Sequence, residues 1–502
     1  MTIALFVRRF LTDYARNRVN LTLLIVVPVI FVGVVGAVMS NATQQIEGGG
    51  GAAIETASPA WAAAFIAGIG MYFQTAATRD IDQRMVIAGL PPARLVAARL
   101  LTGLALALLA STAALITLAV RTGIDSPARV AAGTLMAAII YVAIGAAVGS
   151  FVHNAVNGTV LLLLIWIVDL FFGPALGAAD RLATRWLPIH YVTLWMIDLP
   201  GGRGGRAADL GWALAWTGAA ILVAWTLTTA RTRSGRRAAP RLPAGSVTAQ
   251  LVAAGQAVWR DARRNPALWA LFVAVPAIFI LASHAAIPDT PLPVTLHEDG
   301  RRFTETFPMS DVHTATLSPV STASLAALVG LFTVLDSRAG DRRAALAGLR
   351  PGVLLAARLG LLAVAALLAS AVSLATTASV FDATRWPIYA LGNVLIALTY
   401  GLIGALLAPL FGRVGGVLMS FLLPFLDVGM AQSPLPRPEP AAWAKLLPAY
   451  GGSRTLLDGA FTHRFDEVTP LLVGVAWLVA LLVVVAIAYR RTTAPFSPSG
   501  HR

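Results

Sequence analysis

Residues 79–100, RDIDQRMVIAGLPPARLVAARL, are written a second time as residues 338–359, RAGDRRAALAGLRPGVLLAARL. Ala-Gly-Leu, a proline three residues past the glycine, and Ala-Ala-Arg-Leu hold the same relative places, with Gly89 answering Gly348 at an offset of 259. Outward from that stretch the pattern continues. Asp13-Tyr14-Ala15-Arg16-Asn17 with Pro28 returns as Asp261-Ala262-Arg263-Arg264-Asn265 with Pro276, and Asp169 returns as Asp427. The offsets differ by eleven residues inserted after Pro276, so the second copy has the longer first loop. A duplicated unit of this size can enclose something between its halves.

Composition sets the solvent. Hydrophobic residues make up 57% of the 502 and charged residues 12%, more apolar surface than a water-soluble core of this length hides. A hydrocarbon core takes roughly 20 apolar residues per helix. About twelve stretches qualify, near residues 20–40, 61–78, 95–120, 130–152, 158–175 and 210–230, then 268–287, 318–335, 353–380, 388–410, 414–430 and 468–489. The expectation is an all-α membrane protein of two tandem six-span repeats. Residues 1–230 form the first repeat, 231–245 a basic Pro/Gly-rich linker, 246–491 the second repeat and 492–502 a tail.

The net charge of +14 reads as topology and not as nucleic-acid binding. Arg8, Arg9, Arg16 and Arg18 precede the first span, and Arg79, Arg84, Arg94 and Arg99 follow the second. Arg338, Arg342, Arg343, Arg350 and Arg358 follow the eighth, and Arg490 and Arg491 the twelfth. All fall on one side if both termini are cytoplasmic, as the excess of basic residues in inner loops requires. Lys445 is the only lysine, a bias that suits a high-GC bacterial genome and hence a bacterial cytoplasmic membrane. No cysteine is present, which excludes thiol chemistry and disulfides. No cleavable signal is evident.

Two amphipathic segments precede the first spans of the halves. Ile3, Phe6, Val7, Phe10 and Tyr14 share a face opposite Arg9, Thr12, Asp13 and Arg16, as in a helix lying on the inner leaflet. Val247, Leu251, Val258 and Ala262, with Arg260, Arg263 and Arg264, repeat the arrangement. The outer connections at about 176–209 and 431–467 mix apolar runs with breakers (Trp186-Leu187-Pro188, Leu447-Pro448), as re-entrant segments do.

Catalytic motifs are absent. Lys445 follows no glycine loop, so the chain has no Walker A site, and no inner loop is long enough for an ATPase domain. No serine or histidine sits in a nucleophile motif, and His297, Glu298, Asp299 and His313 read better as solvated loop residues than as metal ligands. Intrinsic enzymatic activity is not expected, nor a metal or cofactor in this chain. The inner loops stand out instead. Arg79, Asp82, Arg84 and Gly89 correspond to Arg338, Asp341, Arg343 and Gly348, a charged short helix broken by glycine and proline that suits a lever pushed by a soluble partner.

An amphipathic elbow ending in Arg-Asn, a lever loop after the second span and a broken outer segment before the sixth resemble the type-2 ABC exporter permeases, here as two fused copies. The resemblance implies six spans per half, a separate homodimeric ATPase that carries ATP and Mg, and coupling helices in the inner loops. It also implies outward movement of hydrophobic or amphiphilic compounds, whether antibiotics and drugs or lipids. The competing reading is a proton-coupled secondary transporter of the major facilitator type, which also has twelve spans in two halves. Residues 336–343 superficially resemble its inner-loop signature, but elbows and broken outer segments fit it poorly.

Asp169 and Asp427 lie deep in apolar spans, where a carboxylate faces a cavity or a partner, or else caps the outer segment. In the resembled fold, spans 2 and 5 of each half meet centrally. That points to Phe65, Tyr72, Phe73, Gln74, Trp166 and Phe171 in the first half, and to Phe332, Phe421 and Phe425 in the second, as the substrate pathway. Aromatics around an acidic group would favour cationic amphiphiles.

Overall fold

The computed structural model describes residues 3–16, 18–37, 40, 50–152, 154–176, 182–199, 204–231, 266–287, 289–346 and 351–493. The chain divides into two compact units, Met1–Arg237 and Ala238–Arg502. The second elbow segment, most of the linker, the tail and Gly348 lie outside the described residues, as do the side chains of Arg338 and Arg343.

In the first unit, α1 (Ile3–Arg16) is the amphipathic leader and α2 (Arg18–Ile30) begins the first apolar rod. Pro28 can donate no backbone hydrogen bond, and over Phe31–Gly36 the helix widens to i→i+5 bonding. Then come α3 (Gly50–Ile87), α4 (Pro92–Arg121), α5 (Pro127–Phe151), α6 (Ala155–Phe172), the short α7 (His190–Met196) and α8 (Ala207–Arg231). Proline occupies the first helical position of α4 and α5, where its missing N–H costs nothing. Asn154 caps α6, its side chain accepting from the Val156 and Asn157 amides at 2.9 and 3.2 Å.

The second unit holds α9 (Pro266–Ala286), a hairpin of β1 (Pro291–Glu298) and β2 (Arg301–Pro308), then α10 (Met309–Leu346), α11 (Pro351–Thr377) and α12 (Trp386–Leu426). It ends in α13 (Tyr450–Phe461) and α14 (Val468–Thr493). The hairpin departs from the all-α expectation. Asp299 and Gly300, both at positive φ, make the tight turn that an Asp-Gly pair favours. Leu292, Val294 and Leu296 point inward from β1, whose Thr295 amide donates to the Pro438 carbonyl at 3.2 Å.

Nine helices among the described residues are long and apolar enough to cross a membrane, against twelve expected. Three differences account for the gap. The apolar helices Ala155–Phe171 and Trp269–Ala285 fall just short of the needed length. The expected tenth and eleventh spans run together as Trp386–Ala431, because the chain passes through positive φ at Gly412 without a loop. A residue with a Cβ would strain that bend.

Each unit is centred on one close helix crossing. A Cβ on Gly145 of α5 would strike the Gly68 carbonyl of α3, and a Cβ on Gly404 of α12 would strike the Ala327 carbonyl of α10. Small residues at such a crossing let backbones approach, which drives packing where lipid removes the hydrophobic advantage. Beside it, bulk is distributed differently in the two units. In the first unit Met71 and Val142 fill the space over Gly103, where an added Cβ would lie 2.9 Å from both. At the same offset of 259 the second unit has Gly330 and Gly401 around Leu362, whose Cδ1 lies 2.8 Å from where a Cβ on Gly401 would stand. Conserving volume in this way keeps both cores packed.

Candidate transport and coupling site

At the basic end of each unit one ion pair fastens the lever region. Asp82, on the last turns of α3, accepts from Arg99 Nη2 at 2.8 Å, and both side chains are about nine-tenths buried. Asp341 accepts from Arg358 Nη2 at 2.9 Å and from the Tyr489 hydroxyl of α14 at 2.8 Å. The two pairs are spaced identically, 17 residues across the Gly-Pro break. Arg79 donates to the Ser150 carbonyl at the end of α5. Arg84 is exposed, and Gly89 sits at φ +95° with open space around it, a conformation that favours glycine. The region thus has a clamped root (Asp82, Arg79) and an exposed tip (Arg84, Gly89).

The Arg99 guanidinium also lies over the Phe10 ring, 3.8 Å from its centroid, so α1 is fastened to the same root. Such a contact is worth about 0.5–2 kcal/mol. Phe10→Ala is expected to raise amide exchange across residues 3–16 roughly tenfold while leaving α3 and α5 protected. Unchanged exchange in α1 would remove Phe10 from the linkage.

Deeper in each unit a tyrosine, a carboxyl group and a backbone amide form a second repeated constellation. Tyr141 of α5 donates to Asp169 Oδ2 at 2.6 Å, and the Ile189 amide to Oδ1 at 3.4 Å. Tyr400 of α12 donates to Asp427 Oδ2 at 2.7 Å, and the Ala449 amide to the same oxygen at 2.9 Å. Gln432 Nε2 adds a bond to Oδ1 at 3.1 Å and donates also to the Ala444 carbonyl at 2.8 Å. Ile189 and Ala449 immediately precede α7 and α13, so each carboxyl group ties the broken outer segment to the fourth apolar helix of its half. Around Asp427 the helix again widens to i→i+5 bonding, with the Gln432 amide donating to the Asp427 carbonyl at 2.9 Å. Asp169 is 1% exposed and Asp427 5%. This geometry supports the capping alternative for both.

The aromatic candidates are dispersed. Phe65 and Phe31 pack on the Trp166 ring at 5.0 and 5.8 Å, and Trp166 donates to the Trp61 carbonyl at 2.9 Å. Tyr72 is fully buried, donates to the Asn154 carbonyl at 3.1 Å and lies edge-on to Phe73 at 4.9 Å. Its ring fills the space over Gly158, where a Cβ would collide with it. Gln74 and Phe171 are half-buried, as are Phe421 and Phe425, whereas Phe332 is buried. In the first unit the Phe65–Trp166 contact and the Tyr72 ring over Gly158 form part of the seam between α3 and α6. Sequence reading missed Tyr141, Tyr400 and Tyr489, and counted Arg99 and Arg358 only as topology charges.

The opposite end of the second unit, of mixed charge, is latched through its hairpin. Buried Arg454 of α13 donates Nε to Glu467 at 2.9 Å, Nη1 to the Thr295 carbonyl at 3.1 Å and Nη2 to His297 Nδ1 at 2.9 Å. Glu298 accepts from the His463 and Arg464 amides at 2.8 and 2.9 Å. Beside the latch, Glu439 stays below the usual carboxylate range. Burial opposes this, but a hydrogen bond from Lys445 and the nearby positive charges of Lys445, Arg302 and Arg454 outweigh it.

The described residues are mostly helical, with helices long and apolar enough to cross a membrane, and an Asp–Arg clamp and a Tyr–Asp brace occur in each unit. Residues 58–230, all within the first unit, match the family described as ABC-2 family transporter protein, and that stretch is similar to the membrane component of an ABC transporter. No curated protein matches the chain.

Proposed function

We propose that this chain is the transmembrane permease subunit of an ATP-driven ABC exporter, two type-2 permease repeats in tandem, moving hydrophobic or amphiphilic compounds outward across a bacterial cytoplasmic membrane. The observation that carries the proposal is the match over residues 58–230. The second repeat rests on recurrence of the Asp82–Arg99 contact as Asp341–Arg358 at the same spacing, and of Tyr141–Asp169 as Tyr400–Asp427 at a spacing one residue shorter. Twelve spans follow if Ala155–Phe171 and Trp269–Ala285 cross a locally thinned bilayer and the helix broken at Gly412 crosses twice.

In this reading a soluble homodimeric ATPase, holding ATP and Mg, engages the exposed tip at Arg84 and Gly89, and the corresponding residues Arg343 and Gly348 of the second repeat. The clamped roots pass the push to α3 and α10. The Tyr–Asp braces make each outer segment move with the fourth helix of its half, so the outer gate opens as a unit. Phe65, Tyr72, Phe73, Gln74, Trp166, Phe171, Phe332, Phe421 and Phe425 remain the proposed wall of the path, with Asp169 and Asp427 supporting it from behind. The match to an ABC-type domain weighs against the major facilitator alternative.

The test is biochemical. The purified chain alone is expected to hydrolyse no ATP, and gentle extraction from its native host is expected to recover a soluble ATPase with it. ATP turnover by the isolated chain would overturn the assignment.

A further inference from the structure

We infer that the second unit binds an anionic glycerophospholipid of the cytoplasmic leaflet, its acyl chain in a groove between α10, α11, α12 and α14 and its phosphate at Arg491. The orientation rests on the topology proposed above. The groove has a volume of about 350 Å³ and is walled by apolar side chains, among them Val334, Leu359, Leu406 and Val484. Val484 and Ile487 are about half exposed, so it opens sideways onto the surface that hydrocarbon covers. A space of this kind takes a lipid tail, because water finds no hydrogen-bonding partner along such a wall.

What selects the headgroup is charge at one end. Arg491 and Arg358 both line the groove, where α14 and α11 reach the basic membrane edge. Arg358 spends one Nη on Asp341 and keeps other donors, while Arg491 is exposed and has no ion pair among the described residues. Basic pockets between membrane helices on the cytoplasmic side recognise anionic headgroups, each arginine adding about a fivefold preference. The bound lipid also touches Arg358 and Tyr489, the two groups that hold Asp341. Headgroup charge therefore acts on the root of the second lever, and the lipid is a regulator and not cargo.

The experiment titrates the lipid-depleted full chain in detergent with phosphatidylglycerol or phosphatidylcholine of identical acyl chains, reading bound lipid by native mass spectrometry. Wild-type protein is expected to favour phosphatidylglycerol, and Arg491→Gln to reduce that preference about fivefold. Arg490→Gln, at a neighbouring residue outside the groove lining, is expected to leave it intact. Val484→Trp fills the groove and is expected to weaken both lipids. Equal losses for Arg490→Gln and Arg491→Gln would mean diffuse surface charge and overturn the site, as would a Val484→Trp variant that binds like wild type. Because the chain has no cysteine, Arg490→Cys gives a single label for sidedness. Labelling of intact cells by an impermeant thiol reagent would overturn the leaflet assignment and the topology it rests on. A positive titration would then report a lipid groove on the opposite face.

Discussion

Asp427→Ala is expected to prevent accumulation of folded protein. It strands the Tyr400 hydroxyl and the Ala449 N–H in the interior and takes from the Gln432 side-chain amide one of its two acceptors, the Ala444 carbonyl remaining. Each buried donor left unsatisfied costs about 1–3 kcal/mol, and with the lost packing the total consumes much of a stability margin of about 5–15 kcal/mol. Asp427→Asn keeps an acceptor for two of the three and should be milder. Tyr400→Phe removes one donor and leaves the carboxyl group with two others, a loss of about 1–2 kcal/mol. Asp169→Ala strands fewer partners and should fall between. The measurement is detergent-solubilised yield and thermal midpoint, followed by export of cationic and neutral amphiphiles normalised to expression. If the braces are structural, Asp169→Asn and Asp427→Asn lower export of both classes in parallel with yield. Selective loss of cationic substrates at normal yield would place the carboxyl groups in the substrate path.

The second large effect is at the lever root. Arg99→Ala leaves Asp82 buried without its counter-charge, and breaking such a pair costs about 3–5 kcal/mol. The double variant Asp82→Ala with Arg99→Ala removes both charges and is expected to recover much of that loss, because a buried pair itself contributes little net stability. Coupling should not recover with it. In the assembled transporter, ATP hydrolysis should persist while transport falls at least tenfold, since the end of α3 that carries the lever tip at Arg84 is then no longer fastened to α4. Arg358→Ala is expected to do less, because Tyr489 still holds Asp341 and Arg358 is partly exposed. A double variant that transports normally would show that the lever acts through other contacts.

The sequence was readable where a repeat or a period carried the signal. The duplicated Ala-Gly-Leu and Pro marked the break that the structure shows at Gly89, whereas its counterpart at Gly348 lies outside the described residues. The Asp82–Arg99 clamp was not legible, although both residues lie inside the repeated stretch. Charges 17 apart meet only once the Gly-Pro break folds α4 back on α3. Tyr141 and Tyr400 escaped notice because helices apolar on every side give no periodicity to single out an inward face. The hairpin was missed despite an available signal. Leu292-Pro293-Val294-Thr295-Leu296 alternates, and Asp299-Gly300 is the turn such strands use. In a chain of apolar helices, that insertion after Pro276 read as loop. The joining of two expected spans at Gly412 was equally hidden, since a glycine near the end of an apolar run more often signals a helix stop.

Transport in inside-out membrane vesicles tests the central claim most directly. Vesicles carrying this chain and the proposed ATPase partner, supplied with a fluorescent amphiphile outside, should accumulate it on addition of ATP with Mg, and continue when the proton gradient is collapsed. Accumulation driven by a proton gradient without ATP, or ATP-driven uptake abolished by an uncoupler, would contradict the account and restore the secondary-transporter reading.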